Sequence, residues 1–267
     1  MASAPQDFKG IVLSRYNYKE SDLLVKILTR EFGKRMFLFR RARKPGFKMA
    51  VGVMPFTASN YVGVIRSSGL SYVNTLRGSE EFSNISADIE RNAYATYVLA
   101  LIDLAFSDNV AVPQWYDFAE TALRRIDSGA DPQIISNIAE VQLLTAFGVG
   151  PHWQNCVVCG RSDLPLDFSD SYGGLLCQNH WGLDEHRYHA SQKAIYLLRQ
   201  FSVVKLEQLG NIKVSPTTKH ELRSCLDRIY DDLVGVTPRA KRFLDELNGG
   251  SNLRPLRPRK PRTDADR

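Results

Sequence analysis

Cys156, Cys159, Cys177 and His180 constrain the fold of this chain more than any other feature. They form two pairs, Cys-Val-Val-Cys and Cys-Gln-Asn-His, joined by seventeen residues. Two short ligand pairs joined by a loop of that length are how a chain wraps one tetrahedral zinc ion. Each two-residue gap makes a tight knuckle, and Gly160 follows the first where a sharp turn needs positive φ. The segment between the pairs predicts a short hairpin turning at Gly173 and Gly174. Four protein ligands fill a tetrahedral sphere and leave no open position for water or substrate. The hydrolytic pattern His-Glu-x-x-His and the deaminase pattern are both absent from the sequence. The expected metal is therefore one structural Zn2+. His152, His186 and His189 flank the motif at poorer spacing and read as loop histidines.

The net charge of +6 is unevenly placed. Lys34, Arg35, Arg40, Arg41, Arg43, Lys44 and Lys48 fall within fifteen residues that hold no acid. A second cluster, six basic residues against two acids, runs from Arg254 to the end. The remainder holds 22 basic and 27 acidic residues, so a mildly acidic protein carries two concentrated basic patches. That asymmetry points to a polyanionic partner. The seven cations of the first patch are the candidate nucleic-acid contacts. Met36, Phe37, Phe39 and Phe47 are interleaved with them, as in surfaces that stack single-stranded bases. Strand periodicity gives Phe37 and Phe39 the alternative of pointing into a core. The terminal patch either grips nucleic acid loosely or keeps the chain in solution.

Residues 8 to 76 hold five β-rich runs: 8–16, 23–29, 35–41, 60–66 and 70–76. Five short strands in about seventy residues suit a small barrel, either an OB-fold or an SH3-like one. After Gly78 the period becomes helical. Ser86 is the expected cap of a first helix, Pro113 opens a second with Trp115, Phe118, Ala119, Ala122, Leu123 and Ile126 on one stripe, and Asp131-Pro132 starts a third. After the zinc segment, helices are expected from Ser191 through Gln208, from Ser215-Pro216, and from Thr237-Pro238 to Leu247. The expected fold is α+β multidomain: an OB-fold barrel over 1–80, a helical domain over 81–150 and 183–248, a zinc-binding insertion over 151–182, and a disordered basic tail over 249–267. Cys225 falls on an apolar helix face and reads as core.

No apolar run reaches bilayer-spanning length; the best, Tyr97 to Ile102, stops at Asp103. The N-terminus lacks a basic and an apolar leader region, and three of four cysteines sit in the metal motif, so a cytoplasmic location is expected. No Gly-rich phosphate loop, paired catalytic acids or Ser/His/Asp arrangement stands out, so no enzyme is expected.

The opening Gly10-Ile-Val-Leu-Ser-Arg-Tyr-Asn-Tyr-Lys-Glu-Ser-Asp22, then Leu28-Thr-Arg-Glu-Phe-Gly-Lys34 and the basic stretch to Lys48, resembles the RecO family of DNA repair proteins. The order of parts matches along nearly the whole chain. His180 departs from the second Cys-x2-Cys pair that many zinc-bearing members resemble, and histidine is an equally good tetrahedral ligand. The resemblance implies a non-enzymatic recombination mediator that binds ssDNA and dsDNA and anneals complementary strands. It further implies partners: RecR, the C-terminal peptide of single-strand-binding protein, RecF at gap junctions, and RecA as the recombinase loaded. A zinc-ribbon transcription factor and a zinc-dependent nucleic-acid enzyme are the competing classes.

Overall fold

A computed structural model describes residues 4–66, 69–210, 212–247 and 249. The basic tail expected over 249–267 lies outside the described residues apart from Gly249.

Five strands, β1 (Gln6–Tyr18), β2 (Asp22–Thr29), β3 (Gly33–Phe39), β4 (Thr57–Val64) and β5 (Ser71–Glu81), close into a barrel of order β1-β2-β3-β5-β4. All neighbours are antiparallel except β3 and β5, which pair in parallel at Phe37–Ser71 and Leu38–Tyr72. This is an OB-like barrel, and closure removes the free edges that an open sheet would expose. A bulge between Val12 and Ser14 bends β1, so its first half pairs with β4 and its second half with β2 alone. Inside, Phe8 stacks on Phe37 at 5.1 Å and on Tyr61 at 5.3 Å, and Tyr61 donates its hydroxyl to the Gly52 carbonyl at 2.7 Å. Phe37 and Phe39 are fully buried there, which decides for core over base stacking.

The third strand stops at Phe39, short of the expected Arg41. Arg41 takes a positive φ of 55° and donates its backbone N–H to Asp22 Oδ1, so the chain leaves the ladder at Arg40. The fifth strand, in contrast, runs past Leu76 to Glu81 by following β4 through two register shifts.

Among the described residues seven α-helices follow: α1 (Ser83–Ala87), α2 (Ile89–Ala105), α3 (Pro113–Asp127), α4 (Pro132–Leu143), α5 (Gln192–Phe201), α6 (Pro216–Ile229) and α7 (Arg239–Leu247). Asp131, Ser191 and Ser215 cap α4, α5 and α6 by accepting from backbone N–H groups of the first turn. Ser86 does not cap a helix. It lies in the short α1, and Asp88 caps α2 by accepting from the Arg91 N–H. The helix expected through Gln208 ends at Phe201, where Ser202 and the β-branched Val203 and Val204 favour a turn. Gln142 donates to the freed carbonyls of Phe201 and Val204 at 2.9 and 2.8 Å, and a short 3-10 turn at Leu206–Gln208 follows.

Ile11, Leu28, Phe56 and Ala58 of the barrel share one buried cluster with α2, α3, α4, α5 and α6. Bidentate pairs of Arg30 with Asp117 and of Arg124 with Glu80 reinforce the junction. Gly33 sits there at φ +70°, where a Cβ would come within 2.0 Å of the Val110 carbonyl oxygen, so only glycine fits. Lys34 is 2% exposed, and its ammonium meets Asp103 Oδ1 at 2.9 Å, Asp108 at 3.4 Å and the Asp103 carbonyl. Burial opposes ionisation of Asp103, but Lys26 and Lys34 outweigh it and hold its carboxyl below the ordinary value. Asp103→Asn is expected to cost about 1–3 kcal/mol at neutral pH, because a buried ammonium loses its main counter-charge. Since this folded carboxyl titrates lower than the unfolded one, the stabilisation is complete above about pH 4 and fades as pH falls further. Denaturation midpoints across pH check this, and the two stability curves should converge in acid.

Candidate metal centre and nucleic-acid interface

Between α4 and α5 the chain builds a small sheet from β6 (His152–Cys156), β7 (Leu166–Ser169) and β8 (Gly174–Cys177), in order β6-β8-β7. The hairpin β7–β8 turns over Asp170–Gly173, with Gly173 at φ +62°. Gly174 already belongs to the strand, and a Cβ there would lie 2.8 Å from the His152 carbonyl oxygen. Trp153 stacks on Phe168 at 5.0 Å, and Phe168, Leu175 and Leu176 are fully buried against the helical core. Asp167 anchors the return to α5 by accepting from the His189 and Ala190 N–H groups.

This sheet brings Cys156 to the end of β6, Cys177 to the end of β8, Cys159 onto the knuckle and His180 onto the turn that follows. Their ligand atoms all lie within 4.8 Å of one another. Cys159 Sγ is 3.7 Å from Cys177 Sγ, and His180 Nδ1 is 3.6 Å from Cys156 Sγ and 3.2 Å from Cys177 Sγ. Tetrahedral zinc with ordinary Zn–S and Zn–N bonds has ligand–ligand edges of about 3.5–3.8 Å; the 3.6 and 3.7 Å separations match that, the 3.2 Å one is shorter, and the Cys3His donor set suits the ion. Burial works against the Cys156 thiolate, yet backbone N–H groups of Cys177, Cys159 and Val158 outweigh it and bring the thiol down to about 6. Burial pushes the Cys177 thiol up. His152 instead bonds Asn155 at 2.6 Å, and His189 reaches the Glu185 carbonyl at 3.2 Å, so neither joins the cluster. The four residues can hold one metal ion.

The basic stretch forms the loop between β3 and β4. Phe47 is tucked under the barrel, edge-on to Phe39 at 6.4 Å, while Arg40, Arg41, Arg43, Lys44 and Lys48 are exposed. The loop is pinned to the β1–β2 turn by the Arg43 N–H to the Ser21 carbonyl at 2.9 Å and by Arg43 Nη1 to the Glu20 carbonyl at 3.2 Å. The ion pairs found among the described residues engage none of these five cations. Lys34 departs from the expectation: it is sealed in the barrel–helix junction and cannot reach a phosphate. Arg35 is half-buried and donates to the carbonyls of Phe32 and Arg66.

Two cations missed by sequence reasoning join the surface. Arg66 lies over the Tyr72 ring at 4.8 Å, beside Arg40 at 5.3 Å from the same ring. Arg15, from the end of β1, faces the loop with its guanidinium 3.5 Å from Met54 Sδ. Neither has a local signal, because only strand pairing brings them to residues 40–54.

Residues 1–82 match the family described as Recombination protein O N terminal, and residues 86–242 match Recombination protein O C terminal. The chain belongs to the RecO family. Its relatives include the DNA repair protein RecO of Levilactobacillus brevis, 54% identical over 251 residues that span 94% of this chain and 96% of that one. That of Lactiplantibacillus plantarum is 53% identical over 95% of this chain and 98% of the relative. That of Limosilactobacillus fermentum is 43% identical over 100% of this chain and 98% of the relative. Among the described residues no helix is long and apolar enough to cross a membrane.

Proposed function

We propose that this protein is a recombination mediator of DNA repair that binds ssDNA and dsDNA, anneals complementary strands and performs no covalent chemistry. The observation that carries the reading is the β3–β4 loop: five exposed cations, none in an ion pair among the described residues, on the end of an OB-like barrel in a RecO-family chain. Annealing requires two polyanions to approach, and a cationic surface lowers their repulsion without reading bases. Such binding is sequence-tolerant and falls with salt, since each neutralised phosphate releases counterions.

On this reading residues 1–80 bind DNA through Arg35, Arg40, Arg41, Arg43, Lys44 and Lys48. Residues 81–150 and 183–248 supply the helical platform, and 151–182 form an insertion held by one structural Zn2+ on Cys156, Cys159, Cys177 and His180. The partners are those of the family resemblance: RecR, with which RecA is loaded onto coated ssDNA, the C-terminal peptide of single-strand-binding protein, and RecF at gap junctions, in a bacterial cytoplasm. The test is annealing of complementary strands, each coated with single-strand-binding protein, across a salt series without ATP. Salt-sensitive annealing with intact strands is expected. Tight binding to one duplex sequence without annealing would overturn the reading in favour of a transcription factor.

A further inference from the structure

At the end of the barrel, between the β1–β2 turn and the β3–β4 loop, lies an open groove of about 710 Å³. Leu23 and Val53, 8% and 4% exposed, provide an apolar base, and Met54 and Tyr16, 45% and 55% exposed, hold apolar surface out to solvent beside it. Arg15 and Arg43 line it too, and no acid is among the lining residues. A single exposed apolar side chain needs no explanation. An exposed tyrosine and methionine that share one groove with two arginines, continuous with a loop of uncompensated cations, are a different matter.

A ligand that satisfies both halves carries an apolar flat face and a negative charge within one repeat. Stacked, paired bases of a duplex hide their faces, whereas an unpaired nucleotide offers base and phosphate together. We propose that this groove takes an unpaired nucleotide of single-stranded DNA, its base against Tyr16 and Met54 and its flanking phosphates on Arg15 and Arg43. The five cations of the adjoining loop suit the regular charges of a polynucleotide backbone leading into and out of it. This assignment rests on the reading of that loop as a nucleic-acid surface. It adds what the loop alone lacks: cations attract single and double strands alike, and the groove favours the strand with free bases.

The test uses the full chain and three probes at one salt concentration: oligo(dT), an abasic oligonucleotide with the same number of phosphates, and a duplex of that length. Wild-type protein is expected to hold oligo(dT) about tenfold more tightly than the abasic strand, the scale of one or two stacking contacts. The double variant Tyr16→Ala, Met54→Ala should lose that preference while its affinity for the abasic strand and the duplex stays unchanged. Equal binding of the two single strands by wild type, or a preference that survives in the variant, overturns the groove and leaves the loop assignment standing. If charge reversal in the loop alters none of the three affinities, the loop reading itself has failed. Binding of an acidic, leucine-bearing peptide that is lost in the variant, with no base preference in wild type, gives the groove to a protein segment and likewise overturns the proposal.

Discussion

Replacing Arg40, Arg41, Arg43 and Lys44 with glutamate is expected to weaken binding to single- and double-stranded DNA on the order of 100-fold or more at low salt, for every sequence alike. The four side chains are exposed and free of ion pairs among the described residues, so their charge is available to phosphates rather than spent inside the protein. Each lost phosphate contact should also flatten the dependence of log K on log salt, by about 0.9 on duplex and about 0.7 on single strands. Losing four contacts thus lowers the slope by roughly three to four, a signature that a misfolded protein would not give. The fold should survive, because Phe47 packed against Phe39 and the backbone bonds to Asp22 and Ser21 hold the loop. Fluorescence anisotropy over a salt series, with circular dichroism as the folding control, measures both effects. Unchanged affinity and slope would sink the assignment of this loop. Lys34 is left out of the set because its charge belongs to Asp103 and Asp108, and reversing it would damage the barrel–helix junction instead.

Lys34 shows where the sequence stops being informative. From a distance of one strand it cannot be told from its neighbours in the basic run: it sits in the same acid-free window as Arg40. Its burial follows from acids distant in sequence, Asp103 sixty-nine residues on near the end of α2 and Asp108 in the loop beyond it. The reverse holds for Arg15 and Arg66, isolated in sequence and brought to the surface patch by the barrel's register. Local signals served best where the physics is local. The caps at Asp131, Ser191 and Ser215 and the proline starts of α3, α4 and α6 depend on a few adjacent residues. The five β-rich runs were legible from alternation, but the closed order β1-β2-β3-β5-β4 was not, since an SH3-like barrel suits the same strands. Ser86 misled because a capping side chain stood two residues ahead of a better one, Asp88, and the intervening turn was helical already. The convergence of the four sulfur and nitrogen ligands was foreshadowed by spacing alone, because a knuckle imposes its geometry within four residues.

Removing one ligand should therefore have a large effect. Cys156→Ala is expected to abolish stoichiometric zinc binding, from one ion per chain, and to lower the melting temperature on the order of 10 °C. A sheet of three strands with four or five residues each has little stability of its own, and β6 pairs with β8 at only His152–Gly174 and Cys156–Leu175. Structural zinc sites contribute about 10–16 kcal/mol in small finger peptides, where metal binding and folding are one event. The effect here should be smaller, because Trp153, Phe168 and Leu175 also lean on the helical core and retain part of their packing. Loosening should concentrate between residues 152 and 190, read as new protease sites at the exposed knuckle and at the Asp170–Gly173 turn. The barrel should keep its structure and its affinity for DNA, since its interior cluster, built around Phe8, Phe37, Phe39 and Tyr61, holds no residue of the 152–190 segment. Cys225→Ala is the matched control: that cysteine is buried in α6, 7% exposed and outside the ligand cluster, so the variant should keep its metal. A Cys156→Ala protein that retains both full zinc content and wild-type melting would show that the ligand set is wrong. One that loses its zinc yet melts normally would show that the ion fills a site the fold does not need.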